Sequence, residues 1–480
     1  MLVAQLPEHQ PQSDCGTRLA ATVGEVKPQK KRENMLTVHR TQYLIVLVLM
    51  SGALMPMCAQ EAWTIDRCMA YAVEHSRRVR QAAEASDSYR SQRNAAAAAF
   101  VPKVQAYSAV QLTSGRSIDN ETNTYSDYSQ FYNSYSIEAS MTVFAGGSLF
   151  NSMRQAASER RMGQSALRRE QDNAAIDVMQ SCADVLYYEG LVQVSADKLS
   201  ETDSTLLRTR RMVELGMKSE ADLAQVASQR AADSYDLTHN ANLYRAALMK
   251  LKQQMTLSAS DTLELSCPEL SAPLGNMASA DSIFDYAGEH NPTVGEALQR
   301  YQAARYAHKA AVGRMMPSLT LYAGISTNYY KYLDVEGYTA ASFADQIEGH
   351  RGQYVGLQLS IPLLGSLERT GAARRARNAM ETARSQYDEA LAQLRFDIEQ
   401  ALMDVEAYAA ECAEMDAKVD ADRLAYRITR RKFDEGMMNA IDLQTSANAL
   451  ALSKARRLQS RLMLMLKQRY VMYLQGHPLY

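Results

Sequence analysis

This chain of 480 residues has almost no excess of positive over negative charge or the reverse, no recognisable catalytic motif and few extended apolar segments. The net charge is −2, which argues against a nucleic-acid-binding protein, because such a protein carries a basic patch or stripe. No P-loop, GxSxG, HExxH or Rossmann glycine motif is present, so the sequence gives little support to an enzyme. We predict no catalytic residue, no metal and no cofactor.

Cysteine is also sparse, and its six residues form no CxxC pair. Four of them lie far apart along the main part of the chain: Cys68, Cys182, Cys267 and Cys412. Such spacing favours small, buried hydrophobic side chains over a disulfide framework or a metal site.

The one strongly apolar run, YLIVLVLM at residues 43–50, follows a basic stretch that includes Lys30 and Arg40. A basic stretch, a short apolar run and a small residue before the cleavage point are typical of a signal peptide. The run is too short to span a bilayer as a stable helix. We therefore assign residues 1–59 to an N-terminal extension and signal peptide, with cleavage after Ala59.

Two alternatives stay open in this N-terminal segment. Met35 is an alternative start, because residues 1–34 are polar and resemble nothing downstream. Cys58 is an alternative lipid-attachment site, although Met57 stands where a lipobox prefers a small residue.

Helix-breaking residues are missing from two long stretches. Proline is absent between Pro102 and Pro268 and again between Pro362 and Pro478, and Gly436 is the single glycine between residues 371 and 476. Both stretches are rich in Ala, Leu, Gln, Glu, Arg and Met, which favour helix. Helices this long need a coiled coil, a membrane or a solenoid for support.

The chain also repeats itself. Residues 71–107 recur at a displacement of 215 positions and residues 210–231 at a displacement of 220. Self-similarity over such a long period indicates two copies of one structural unit, which we place at residues 60–278 and 279–480. Matching residues include Tyr71 and Tyr286, His75 and His290, Pro102 and Pro317, Gly216 and Gly436, and Asp222 and Asp442.

The repeated histidines, His75 and His290, each stand next to a glutamate where a helix meets a loop. We interpret them as helix-end residues rather than catalytic ones. Gly216 and Gly436 interrupt the long helices at equivalent places, and we interpret each as the turn of a helical hairpin, at about 216 and 436.

Four segments alternate apolar and polar residues with period two, at about 102–115, 131–144, 317–330 and 353–363. This pattern predicts strands with one apolar face, of about the length that a tilted transmembrane strand needs. The loops at 117–130 and 332–352 are rich in tyrosine, which suits a membrane interface. A soluble hairpin with a sticky loop is the alternative for each pair.

Four strands per chain cannot close a conducting barrel, and an open sheet edge is not tolerated in lipid. If the strands lie in a membrane, several chains must pool them, and three chains would give twelve strands. The helices are too polar to cross a bilayer and must project into an aqueous compartment. The competing interpretation is a periplasmic coiled-coil scaffold without channel activity.

From about Trp63 to Gly476 the chain resembles the TolC family of outer-membrane efflux proteins. The resemblance rests on the duplication and on the order of several short segments: WTIDRC at 63–68, FVP at 100–102, VFAGG at 143–147, EHNP at 289–292, MMP at 315–317, and the hairpin tips ELGMKS at 214–219 and DEGMMN at 434–439.

This resemblance implies a mainly α-helical homotrimer with a twelve-stranded outer-membrane β-barrel and a periplasmic α-helical barrel. It also implies a passive exit duct for drugs, small solutes or proteins, supplied by an inner-membrane pump and a periplasmic adaptor. The partners would be two further copies of the chain, these two proteins and outer-membrane lipid.

The resemblance further implies roles for residues at the hairpin tips. By this resemblance, the residues that bind the adaptor are Leu215, Gly216, Met217, Ser219, Gly436 and Met437. A ring of aspartates narrows the periplasmic mouth in this family, which assigns a gate to Asp442, with Asp222 as its first-copy equivalent. Thr445 and Met438 stand where the family has a second acid and an arginine, so we expect Arg430 or Arg431 to hold the mouth closed.

Overall fold

The computed structural model describes residues 63–118, 123–266, 278–363 and 366–480, and from Trp63 onwards they belong to one compact unit. The predicted signal peptide, the alternatives at Met35 and Cys58, and Cys267 lie outside these ranges.

Helices dominate both copies. The first copy holds α1 (Ile65–His75), α2 (Arg77–Ala98), β1 (Lys103–Ile118), β2 (Tyr125–Ala145), α3 (Ser148–Glu214) and α4 (Glu220–Gln254). The second holds α5 (Ala280–His290), α6 (Pro292–Gly313), β3 (Ser318–Tyr332), α7 (Phe343–Gly349), β4 (Gly352–Ser360), α8 (Ser366–Asp434) and α9 (Ala440–Leu474).

The duplication extends to the helix boundaries. The bounds of α5 and α6 are those of α1 and α2 displaced by 215 positions, and the bounds of α9 are those of α4 displaced by 220. The paired helices have 11, 22 and 35 residues in both copies, and α3 and α8 have 67 and 69. The internally duplicated, mainly helical fold expected from the sequence is thus confirmed.

Local capping chemistry explains where the short helices start and stop. Thr64 Oγ1 accepts from the backbone N–H of Arg67 at the start of α1, and Asn291 Oδ1 caps α6 just before Pro292. His75 stacks on Tyr71 with its Nδ1 2.9 Å from the Tyr71 carbonyl oxygen at the end of α1. His290 does the same with Tyr286 at the end of α5, so the helix-end interpretation of both histidines is confirmed.

The strands form one antiparallel sheet in the order β1-β2-β3-β4. One row across it consists of Val104, Ala139, Ala323 and Val355, and the next row, on the opposite face, contains Glu138 and Tyr354. The sheet therefore has an apolar face and a polar face, as the alternation predicted.

Two details differ from the expected strands and loops. β2 begins at Tyr125 rather than near 131, because its first residues pair with Thr113–Ile118 of β1 and tyrosine favours strand. Most of the expected loop at 117–130 is therefore strand. β4 ends at Ser360 rather than near 363.

The second loop contains the short helix α7, which the sequence patterns did not predict. The Gln346 carboxamide donates to the Tyr330 carbonyl and accepts from the Tyr330 N–H, both at 3.0 Å. His350 Nδ1 lies 2.9 Å from the carbonyl oxygen of Asn328. The loop thus provides hydrogen-bond partners for backbone groups of β3 that lie beyond the end of the shorter β4.

The helical core has two equivalent parts. Met69 on α1 packs with Val178 on α3 and Leu251 near the end of α4, and Ile283 on α5 packs in the same way with Ile398 on α8 and Leu474 at the end of α9. Full burial of side chains of this size contributes about 1.5–3 kcal/mol each. Across the described ranges, no helix is long and apolar enough to span a bilayer.

Three cysteines lie in this helical body. Cys68 and Cys182 share the core of the first copy, and Cys412 on α8 is also buried. All three are free thiols, which confirms their interpretation as small core residues.

The hairpin tips as the candidate functional site

Both hairpins turn at a glycine in the left-handed region. Gly216 has φ +72° and Gly436 has φ +77°. The Met217 N–H reaches the Met212 carbonyl at 2.8 Å, and the Met437 N–H reaches the Lys432 carbonyl at 2.9 Å. This is a Schellman ending in each copy, which needs a residue that tolerates positive φ.

The next helix starts differently in the two copies. At the start of α4, Ser219 Oγ accepts from the Asp222 N–H at 3.2 Å, and the Asp222 carboxylate accepts from the Ser219 hydroxyl at 2.8 Å and from its N–H at 3.3 Å. This reciprocal capping box holds the pKa of the Asp222 carboxyl below its ordinary value, chiefly through the bond from the hydroxyl.

At the start of α9, Asn439 Oδ1 accepts from the Asp442 N–H at 2.8 Å, so the cap contact of Asp442 is made by its backbone. The residue itself is exposed. The equivalent aspartates therefore differ: the Asp222 carboxylate is engaged in a cap, whereas Asp442 presents its carboxylate at the surface of the first turn.

The two tips are tied to each other by Lys218. Its ammonium donates to the Met438 carbonyl at 3.2 Å and lies 3.9 Å from the ring centre of Phe433, a core residue at the end of α8. A cation over an aromatic face is attracted by the ring quadrupole. The contact joins the hairpins directly at their ends.

A seam of polar contacts continues this tie along the hairpins. Arg208 on α3 pairs with Asp434 on α8 at 2.9 Å, and Arg430 on α8 lies 3.6 Å from Glu201 on α3. The buried Tyr426 side chain interacts with Glu201 and Arg430, and burial, together with the interaction with Glu201, raises the pKa of Tyr426. Of the two expected latch arginines, Arg430 lies in this seam and Arg431 is exposed.

The tips also expose apolar side chains. Leu215, Met217 and Met437 are 64%, 70% and 63% exposed, whereas Leu443 one turn into α9 is buried. Leu215 and Met217 flank Gly216, and Met437 follows Gly436, so all three exposed side chains lie at the turns. Gly216, Gly436 and Ser219 shape the turns between these side chains.

Sequence reasoning missed Lys218, Phe433, Glu201 and Tyr426. Lys218 and Met438 occupy equivalent positions but differ in residue type, and Glu201 and Arg430 are not equivalent positions, so the duplication carried no signal for these contacts. The long separation between Lys218 and Met438 likewise leaves no local pattern.

The capping box generates a prediction for α4. Ser219→Ala removes the acceptor for the first turn and should cost about 1 kcal/mol of local stability. We expect faster amide hydrogen exchange in the first turn of α4 at pH 7. Glu220→Gln, which removes a first-turn acid without touching Ser219, serves as the control, and equal exchange in both variants would contradict the assignment.

The direction of the Asp222 pKa shift predicts how the stability of the first turn of α4 depends on pH. The folded-state pKa lies below the unfolded value of about 3.9, so the stabilisation is complete above that value. It is lost as the pH falls through the lower folded-state pKa. The difference in exchange between the wild type and Asp222→Asn should therefore disappear in acid.

Comparison with known proteins shows what this chain is similar to. Residues 284–470, most of the second copy, match the family model for outer membrane efflux proteins. The chain is 23% identical over 431 residues to the alkaline protease secretion protein AprF of Pseudomonas aeruginosa, with 84% of each chain covered.

Solved structures share the fold. The outer membrane protein VceC of Vibrio cholerae has a TM-score of 0.74 at 15% identity, with 86% of this chain and 96% of VceC covered. The CmeC outer membrane channel of Campylobacter jejuni has a TM-score of 0.75 at 13% identity, with 86% and 87% covered. At these identities the likeness establishes the fold that this chain shares with outer-membrane channels, and the match to the family of outer membrane efflux proteins covers residues 284–470.

Proposed function

We propose that three copies of this outer-membrane protein join their sheets into one twelve-stranded barrel. The observation that carries the proposal is the sheet itself. β1 and β4 are its two edges, and each pairs with one neighbour only within the chain. Backbone groups on such edges have no partner in lipid, so the edges must meet further strands. Edge β4 of one copy then pairs with edge β1 of the next.

The two faces of the sheet support this arrangement. The apolar face carries Val104, Val110, Val355 and Leu357, and Val355 is 78% exposed in the single chain. Lipid would cover that face. The polar face, with Glu138 and several serines and tyrosines, would line the aqueous lumen.

The helices supply the rest of the duct. At 1.5 Å per residue, α3 with 67 residues and α8 with 69 each extend about 100 Å. They follow directly from strands β2 and β4, so they would continue the barrel into the periplasm. The duct is passive: drugs, small solutes or proteins would enter from an inner-membrane pump, and the chain would have no catalytic role.

We assign the periplasmic gate to Asp442, and we assign the closed state of the mouth to the polar contacts between α3 and α8. Three exposed Asp442 carboxylates would converge at the mouth and attract cations. Asp222 differs because its carboxylate is bound in the capping box. The ties of Arg430 to Glu201 and Arg208 to Asp434 would hold the two hairpins together in the closed state, with Arg431 outside the seam.

We assign adaptor docking to the exposed tips. Leu215, Met217 and Met437 offer the apolar contacts, and Gly216, Gly436 and Ser219 fix the turns that present them. Burial of such side chains against a partner contributes affinity in proportion to the area removed from water.

The first prediction concerns assembly and conduction. The detergent-purified protein should have the mass of three chains and give discrete conductance steps in a planar bilayer. A monomer or dimer without conductance would overturn the shared barrel and favour a scaffold without channel activity.

The second prediction concerns the gate. Asp442→Asn should weaken block by divalent cations added from the helix side by about tenfold or more, about 1.4 kcal/mol, because three carboxylates are neutralised. Asp222→Asn is the matched control and should leave the block unchanged. A block unaffected by Asp442→Asn would remove the gate assignment.

The third prediction concerns docking. Leu215→Ser together with Met217→Ser should weaken binding of purified periplasmic adaptor by about tenfold or more, because two apolar side chains are lost from the contact. Met249→Ser, an exposed methionine near the other end of α4, is the control. Equal affinity in all variants would exclude this tip from the docking site.

A further inference from the structure

Two tyrosine–glycine pairs join β3 to β4 in reciprocal fashion. Tyr322 on β3 is in register with Gly356 on β4, and Gly324 on β3 is in register with Tyr354 on β4. A Cβ placed on Gly356 would come 2.5 Å from the Tyr322 ring, and a Cβ on Gly324 would come 2.5 Å from the Tyr354 ring. Each ring thus occupies the space that its partner glycine leaves empty.

The rings lie side by side on the polar face of the sheet. Their centres are 6.0 Å apart with an interplanar angle of 53°. Glu138 on β2, Gly324 on β3 and Tyr354 on β4 are in register in one row, and the Tyr354 hydroxyl interacts with the Glu138 carboxylate across Gly324. One side chain therefore connects three neighbouring strands.

β4 needs such a connection more than the other strands do. It has nine residues, compared with 16, 21 and 15 in β1, β2 and β3, and it pairs with β3 alone. Gly352 and Gly356 are among its nine residues, and glycine inside a strand weakens it. Strands rich in glycine are prone to slip in register.

The reciprocal pairs select one register. A slip of one residue would move the β4 tyrosine to the apolar face. A slip of two residues would place Tyr322 opposite either Tyr354 or Gln358 and would separate at least one ring from its glycine. An aromatic ring that covers a cross-strand glycine is a known means of fixing register.

We propose that Tyr322, Gly356, Tyr354 and Gly324 form a register lock that presents the outer edge of β4 to β1 of a second copy. The proposal rests on the shared barrel proposed above. Barrel closure requires a fixed stagger of each strand, so a slipped β4 would offer the next chain an edge that cannot close. The four residues are positioning residues: they act on the subunit contact through the strand that they hold.

The test uses alanine substitutions of matched glycines. Gly356→Ala and Gly324→Ala should each lower the yield of heat-dissociable trimer in outer-membrane extracts by about tenfold, because the new methyl group displaces a ring. Gly352→Ala is the control in the same strand, since its nearest atom would be at 3.7 Å, an ordinary contact. It should leave the yield unchanged.

A double substitution separates the lock from general damage to the strand. In a Tyr322→Ala background the ring is gone, so Gly356→Ala should have no further effect, whereas additive effects would overturn the lock. Tyr322→Phe keeps the ring and should assemble like the wild type. If Gly356→Ala and Gly324→Ala both gave as much trimer as the wild type, the register lock would be wrong but the shared barrel would stand. If the wild-type protein itself were monomeric, the shared barrel would be wrong.

Discussion

The unpaired backbone groups along β1 and β4 are the constraint on which the rest of the structure depends. Lipid offers no partner to an N–H or a C=O, so a four-stranded sheet with one apolar face is incomplete in a bilayer until further strands join it. Because α3 follows β2 directly and α8 follows β4, closing the sheet also sets where the long helices begin. In the shared barrel that we propose, the register of the short strand β4 would therefore bear on the position of the long helices.

The sequence alone predicted the parts of the fold that depend on repetition and on local backbone chemistry. Self-similarity identified the two copies, and the helix boundaries repeat at the same displacements. Gly216 and Gly436 marked the hairpin turns because a Schellman ending requires positive φ. Period-two alternation located the four strands, since each has one apolar face.

What the sequence could not predict depends on contacts between distant residues with weak local signals. Helix α7 has seven residues and exists largely through its own cap and the bonds of Gln346 to Tyr330. The tie from Lys218 to Met438 joins equivalent positions whose residue types differ, and its acceptor is a backbone carbonyl that no sequence pattern marks. The duplication predicted equal roles for Asp222 and Asp442, whereas the cap residues Ser219 and Asn439 make their surroundings different.

The most direct measurement is disulfide cross-linking between the sheet edges of neighbouring copies. A cysteine at Val104 or Val110 on β1 would be combined with a cysteine at each of Gln353, Val355, Leu357 and Leu359 on β4. Within one chain these strands are three spacings apart, about 14 Å, too far for a disulfide. Oxidation to a covalent trimer in one register is the predicted result, and chains that stay monomeric at every pair of positions would contradict the account.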